Sequence, residues 1–314
     1  MTPPITAIGL LTADQVKDVL GAATRASSTR PTPAWRVRCT PAGFELHTDP
    51  RCAPPPAGQR ELLLSGGAAL FTLRTAIHAL GAHPATSILP HRDAPTLLAL
   101  VRPFAAIRPN PRLVRLAGTI PHRCTGRVTF RDSAVPRAVL ADLRRAAEVE
   151  QAWLHRPGPD QLTRLRELIH GSHPLQLSSP AFVAEQRPWS VCGPGRCDGA
   201  AGHAANTMSP DGQGWIRPEP GPCSRARIDG TEPLVVIIGS LDDTSEDRIR
   251  AGQARQRVLL TATAAGLDAA FLAPPVEVPA ARARLRTLLG GGLWPQAVLR
   301  LGRAIPGPQS TAGL

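Results

Sequence analysis

Tyrosine is absent from this chain of 314 residues, lysine occurs once, at Lys17, and aromatic residues make up only 4%. So few rings leave no platform on which nucleic-acid bases could stack, and no stripe of aromatics accompanies the positive charge. That charge is large, +12 from 36 basic and 24 acidic residues, but nearly all of it is arginine scattered from Arg25 to Arg303. With alanine, proline and glycine also abundant, it reads as the composition of a G- and C-rich coding sequence, and no nucleic-acid partner is expected. No apolar run approaches the roughly 18 residues of a membrane span, so no membrane association is expected. Asp14, Gln15, Lys17 and Asp18 stand where a secretory leader would be apolar, which makes the cytoplasm the expected location.

Several catalytic signatures are missing too. Gly290-Gly291-Gly292 does not form G-x-G-x-x-G, and no G-x-S-x-G elbow occurs. His91-Arg92-Asp93 matches a kinase triplet without the phosphate loop or D-F-G that would give it meaning. Six cysteines are present, at 39, 52, 124, 192, 197 and 223. Cys192, Cys197, His203 and Cys223 are a weak candidate zinc set, since they lack the tight C-x2-C knuckle; a local disulfide and unpaired thiols are the alternatives.

What is present suffices for a sizeable core: 42% of the residues are hydrophobic, enough for one large domain or two ordinary ones. Thr12-Ala13-Asp14-Gln15 is a capping box opening a first helix. Trp35 to Cys39 and Phe44 to Leu46 alternate around Pro41-Ala42-Gly43 and predict a hairpin. A long apolar helix is expected from Arg60 to Leu80, a short strand at Leu113–Leu116, and a helix from Pro136 to Trp153. Gly171 to Gly230 is rich in glycine and proline and reads as a long loop or lid, in which Trp189 or Trp215 could stack over a ligand. A buried strand at Leu234–Ile238 precedes a helix capped at Asp243-Thr244-Ser245-Glu246 and running to about Ala265; Gln296–Gly302 forms a last strand.

The two halves match at a shift of 186, pairing Gly66 with Gly252, Ala68 with Ala254, Leu73 with Leu259, Thr75 with Thr261 and Ala76 with Ala262. Pro111-x-x-Val114 and Pro295-x-x-Val298 extend the parallel as proline-introduced strands. An internal duplication is expected, with chance similarity of two alanine-rich helices as the alternative. The small residues would let the two long helices approach closely, as in a dimer fused into one polypeptide.

Arg123, Thr125 and Arg127 fall on one side of an extended segment and could hold a phosphate with two guanidinium forks and a hydroxyl; a solvated basic edge is the alternative.

Around these residues the chain resembles the Acg-type branch of the FMN-dependent nitroreductases, an actinobacterial group. The resemblance rests on R-x-T-x-R at 123–127, Arg60-Glu61 to Leu73, Ala251-Gly252-Gln253-Ala254, Leu259 to Thr263, Pro275-Val276-Glu277 and Pro295 to Gly302. It covers about two-thirds of the chain and fails between about 175 and 230. It implies an α+β nitroreductase-like fold of two pseudo-symmetric halves, 1–120 and 121–314, the second carrying the atypical insertion at about 171–230. It implies FMN, one per chain, with the phosphate on Arg123, Thr125 and Arg127 and the ring near the backbone of Val276 and Glu277. A closing loop, Arg25 to Trp35, would bring Ser28, Thr29 and Arg30. That loop departs from the branch by having Pro31 and Pro33 where side-chain amides are usual, and Pro274 replaces a glutamine. The implied activity is transfer of electrons from a reduced nicotinamide, NAD(P)H, to an aromatic or other conjugated small-molecule acceptor, by a chain that is a pseudo-dimer and possible monomer. No side chain is nominated as catalytic acid or base. The alternative is a flavin-sequestering or flavin-free binding module that reuses the cleft in a biosynthetic or stress pathway.

Overall fold

The structure, a computed structural model, describes residues 5–29, 34–49, 58–125, 130–131, 133–178 and 234–304. The first helix, α1 (Ala13–Ala23), opens as expected: the Thr12 hydroxyl accepts from Gln15 N–H while the Gln15 amide oxygen accepts from Thr12 N–H at 2.9 Å. A hairpin of β1 (Trp35–Thr40) and β2 (Gly43–Thr48) comes next, and then the long α2 (Gln59–Ala79), on which α1 packs. Next come β3 (Ala82–Ile88) and β4 (Leu97–Ala106). All four strands pair antiparallel in the order β1-β2-β4-β3.

Helix α3 (Pro111–Thr119) closes the first half, and the second runs α4 (Arg137–Val149), β5 (Trp153–His155), α5 (Pro159–Leu177), β6 (Leu234–Ser240) and α6 (Ser245–Ala264). It ends with β7 (Asp268–Phe271), the single turn α7 (Pro274–Glu277), α8 (Pro279–Leu288) and β8 (Trp294–Gly302). Its sheet is also antiparallel, ordered β5-β6-β8-β7, the same order as the first. In each sheet the register slips once between the second and fourth strands, at Leu46/His47 and at Ile238/Gly239. The chain is therefore an α+β fold of two four-stranded sheets, each with its own apolar core. Ile249 of α6 inserts into the core of the first half, and Phe71 and Leu260 meet under α3.

Helices α2 and α6 hold the halves together. A Cβ on Gly67 would lie 2.0 Å from the Ile249 carbonyl oxygen, and one on Gly252 would lie 2.1 Å from that of Leu64. Backbone meets backbone here, and only glycine permits it. The close approach expected at Gly66 occurs one residue on, at Gly67; Gly66 instead faces Leu98 of β4.

Several other expectations are corrected. Leu113–Leu116 is helical, because the Asn110 side chain caps the segment by accepting from Arg112 N–H at 2.9 Å and Pro111 sits in the first turn. The parallel between Pro111 and Pro295 as strand openers therefore fails, and β4 stands where the topology matches β8. The first residues of the stretch expected as a loop from Gly171 belong to α5, which carries Pro174 inside it; the rest, from residue 179 to 233, lies outside the described residues, as do Trp189, Trp215 and the cysteine and histidine set at 192, 197, 203 and 223. The helix expected to reach Trp153 ends at Val149, and Trp153 begins β5. Finally, α2 is long and apolar enough to cross a membrane, contrary to the first impression of the sequence, but 72% of its apolar window is buried inside the protein, as befits a core helix.

Candidate functional site

The loop that leaves α1 is gripped by three distant parts of the chain. At its start the Arg123 guanidinium donates to the Arg25 carbonyl at 2.9 Å and to the Thr125 hydroxyl at 2.8 Å. Arg123 and Thr125 are each 4% exposed, which overturns a solvated basic edge at these two positions. Thr125 is bridged to Ala269 of β7, and Phe130 to Ala304, so this segment lies along the ends of β7 and β8. Buried Arg300 stacks on the Phe130 ring at 4.8 Å and Gly302 leaves room for it.

In the middle of the loop, Ser27 N–H donates to the Gln256 side chain at 3.1 Å and the Ser27 carbonyl accepts from Arg255 at 3.2 Å. At its end, Thr29 N–H donates to Glu61 at 3.1 Å and the Thr29 hydroxyl donates to Glu277 at 3.2 Å. Ser28, between them, is half-buried. The loop of the first half thus reaches both groups of second-half residues expected from the sequence: Arg123 and Thr125 at one end, Glu277 at the other. Arg25 and Thr29 are four residues apart, so the two ends lie at most about 14 Å from each other. Arg30 and Arg127 lie outside the described residues, together with Pro31 and Pro33.

Beside Thr29 and Glu277 a cleft opens, lined also by Arg60, Glu61, Arg255, Phe271, Val276 and Gln296. Counting its open mouth it encloses about 200 Å³. The bond from Thr29 to Glu277 spans part of it. Charge lines this cleft although it is buried. Arg255 is fully buried and donates to both Glu61 carboxylate oxygens at 3.0 Å, while its guanidinium lies over the Phe271 ring at 5.3 Å. Burial opposes the Glu61 charge, but Arg255 and Arg60 hold its carboxyl below the usual range. Burial, aided by the neighbouring Arg282 and Arg255, pushes Arg60 down to about 10, and Arg60 donates to the Gln296 carbonyl. A buried pair of this kind is a weak source of stability compared with apolar packing, so its presence at a cleft points to a role there.

The turn α7 departs from expectation in one respect. The N–H groups of Val276 and Glu277 both donate to the Ala273 carbonyl at 3.0 Å. This stretch therefore offers the cleft the apolar Val276 side chain and the Glu277 carboxylate, and its backbone donors are engaged. Arg255 was not singled out from the sequence as a site residue, and Arg60, Glu61 and Gln296 only as parts of motifs. The available signal was a polar residue inside an otherwise largely apolar strand, Gln296 in β8; Arg255 and Gln256 lie among many other polar residues of α6 and gave none.

No family model matches the chain. A relative from Mycobacterium tuberculosis (strain ATCC 25618 / H37Rv), named "Putative NAD(P)H nitroreductase Rv3131", is 30% identical over 305 residues, spanning 93% of this chain and 86% of its own. Among solved structures, a nitroreductase with bound FMN from Bacteroides fragilis covers 63% of this chain and 97% of its own at 15% identity and a TM-score of 0.38. The FMN-dependent nitroreductase NfnB from Mycobacterium smegmatis, in complex with NADPH, covers 64% and 98% at 15% identity and a TM-score of 0.39. On the strength of the likeness that runs along nearly its whole length, the chain belongs to the nitroreductase family.

Proposed function

We propose that the protein is an FMN-dependent oxidoreductase of the nitroreductase type, in its Acg-type branch, that passes electrons from NAD(P)H to an aromatic or conjugated acceptor. The observation that carries this reading is the loop of residues 25–29, which joins Arg123 and Thr125 at one end to Glu277 at the other. The donor set suits the cofactor. Arg123 and Thr125 are a cation and a hydroxyl for a terminal phosphate. The cleft supplies buried guanidinium groups, an apolar Val276 and two polar atoms with no hydrogen-bond partner, Arg255 Nε and Gln296 Oε1.

Bound FMN would supply the two-electron redox chemistry between the nicotinamide and the acceptor. The chain's own residues bind and orient. Arg123 and Thr125 hold the phosphate end, and Ser28 and Thr29 close the site from the first half over Val276 and Glu277. Arg60, Arg255 and Glu61 keep a fixed, desolvated charge pattern around the ring edge, which needs no reorganisation when ligand enters. In this reading Arg127, outside the described residues, is a further phosphate ligand and Arg30, likewise outside them, belongs to the closing loop; a single R-x-T-x-R segment gives one FMN per chain.

The reading includes a pseudo-dimer within one chain, of halves 1–120 and 121–314. It is supported by the matching strand orders, the matching register slips and the crossing of α2 and α6 at glycine. The visible absorption spectrum of the purified protein tests the cofactor: flavin bands are expected as isolated or after addition of FMN, and a protein that stays colourless after FMN is added refutes it.

A further inference from the structure

Gln296 is one of the few polar side chains on β8 and is 1% exposed. Its Nε2 donates to Ser240 Oγ and to Asp243 Oδ1, each at 2.9 Å. Both partners can only accept. The Ser240 hydroxyl proton is committed to the Asp242 carbonyl at 2.6 Å, and Asp243 is a carboxylate held by Arg248 and by both ends of the Arg282 fork. Burial works against that carboxylate, but these hydrogen bonds keep its pKa well below the ordinary range, so it stays an acceptor. The amide nitrogen must therefore face this cluster, and the amide orientation follows from chemistry alone. Gln296 Oε1 is left on the other side, buried and without a hydrogen-bond partner, in a residue that lines the cleft. Arg255 Nε, in another residue lining the cleft, is a buried donor without a partner. A buried acceptor is costly to leave unpaired, and native proteins rarely do so outside a ligand or water site.

We propose that Gln296 Oε1 is the specificity element of the cleft: it accepts a hydrogen bond from a ring N–H of the ligand, with Arg60 and Arg255 as donors to flanking carbonyls. The ligand chemistry this wall complements is an imide edge, an N–H between two carbonyl groups, as on the pyrimidine end of a flavin. The proposal rests on the flavin reading above. Ser240 and Asp243 are positioning residues, because they act on the ligand only by fixing the amide.

The test compares FMN with its N3-methyl derivative, in which the imide N–H is gone, by quenching of flavin fluorescence on the full chain. The wild-type protein is expected to bind FMN about tenfold or more tighter than the methylated form, because the methyl group leaves the buried oxygen unpaired. Gln296→Leu is expected to bind FMN about tenfold weaker and to treat the two flavins alike. Ser240→Ala, which removes one anchor of the amide and no acceptor, should retain a reduced preference. Equal binding of the two flavins by the wild type, as a cleft oxygen satisfied by water alone would give, overturns the proposal while leaving the flavin reading intact; so does a Gln296→Leu protein that keeps the full preference. Failure to bind either flavin overturns both. Should Gln296→Leu not fold, the wild-type comparison decides by itself.

Discussion

The same junction, between the first helix of a half and its first strand, is built in two ways. In the first half residues 24–34 separate α1 from β1, and Arg255, Gln256 and Glu61 hold the described part of that loop open beside a cleft. In the second half only residues 150–152 separate α4 from β5. There Glu150 is clamped at 2.8 Å by Arg74 and again at 2.8 Å by Arg257, and Arg74 also reaches Gln253. One junction places polar groups beside the cleft; the other satisfies its carboxylate internally, by a short connection with one well-placed acid.

Four experiments would break or sharpen this comparison. The largest effect is expected where the halves share a contact. Gly252→Val should prevent folding, since even a Cβ lies 2.1 Å from the Leu64 carbonyl oxygen and backbone cannot yield as a flexible side chain would. Gly118→Ala, at a helical glycine with open space around it, should change stability by less than about 1 kcal/mol; soluble yield and thermal unfolding read both.

Next, Glu61→Ala strands the fully buried Arg255 and should cost about 3–5 kcal/mol in urea unfolding, with loss of flavin affinity. Glu150→Ala should cost only about 1–2 kcal/mol, because Arg74 and Arg257 are partly hydrated, and should leave flavin affinity unchanged. Equal effects on flavin binding would mean that the two junctions are not functionally distinct.

Arg123→Ala should then weaken FMN binding by about 1.5–3 kcal/mol, while exposed Arg92→Ala has no effect. Titration of the two purified variants checks this, and matching affinities would put the phosphate elsewhere.

The smallest effect concerns acid. The Asp243 pKa is lower in the folded protein than in the unfolded chain, so the unfolded chain takes up the proton first as pH falls. Its stabilising contribution is complete above the ordinary carboxylate range near pH 4 and is lost as pH drops toward the depressed folded value. The melting temperature of the wild type should therefore fall more steeply than that of Asp243→Asn once pH drops below about 4, the two curves approaching each other as pH nears the depressed folded value.

Much of this architecture could be read from local signals. The Thr12 and Thr244 caps, the hairpin around Gly43, α2, and β6 all depend on residues near one another in the chain, and each appears where expected. Leu113–Leu116 was misread because four residues of mixed polarity fit either period, and the decisive Asn110-Pro111 start signal lay outside them. Strands β3 and β4 gave no sequence signal: Pro84 and Pro103 interrupt them, and their pairing supplies what the alternation does not. The site divides in the same way. Thr29 and Glu277 were legible through the family resemblance, whereas the burial of Arg60, Arg255 and Gln296 was not. In so arginine-rich a chain, hydropathy cannot tell which charges go inside; the choice is made by partners such as Glu61, far from Arg255 in sequence.

The glycine crossing of α2 and α6 also has a consequence in time. Hairpins such as β1–β2 close small loops and form early. Gly67 and Gly252 lie in opposite halves of the chain, and their contact must close a large loop. Refolding should therefore show rapid recovery of the far-ultraviolet signal of strands and helices, followed by a slower near-ultraviolet phase as the helices dock. Only that second step creates the cleft, since Glu61 enters from one helix and Arg255 from the other. Ligand binding would be the last property to appear, a late reporter of complete folding rather than of local structure.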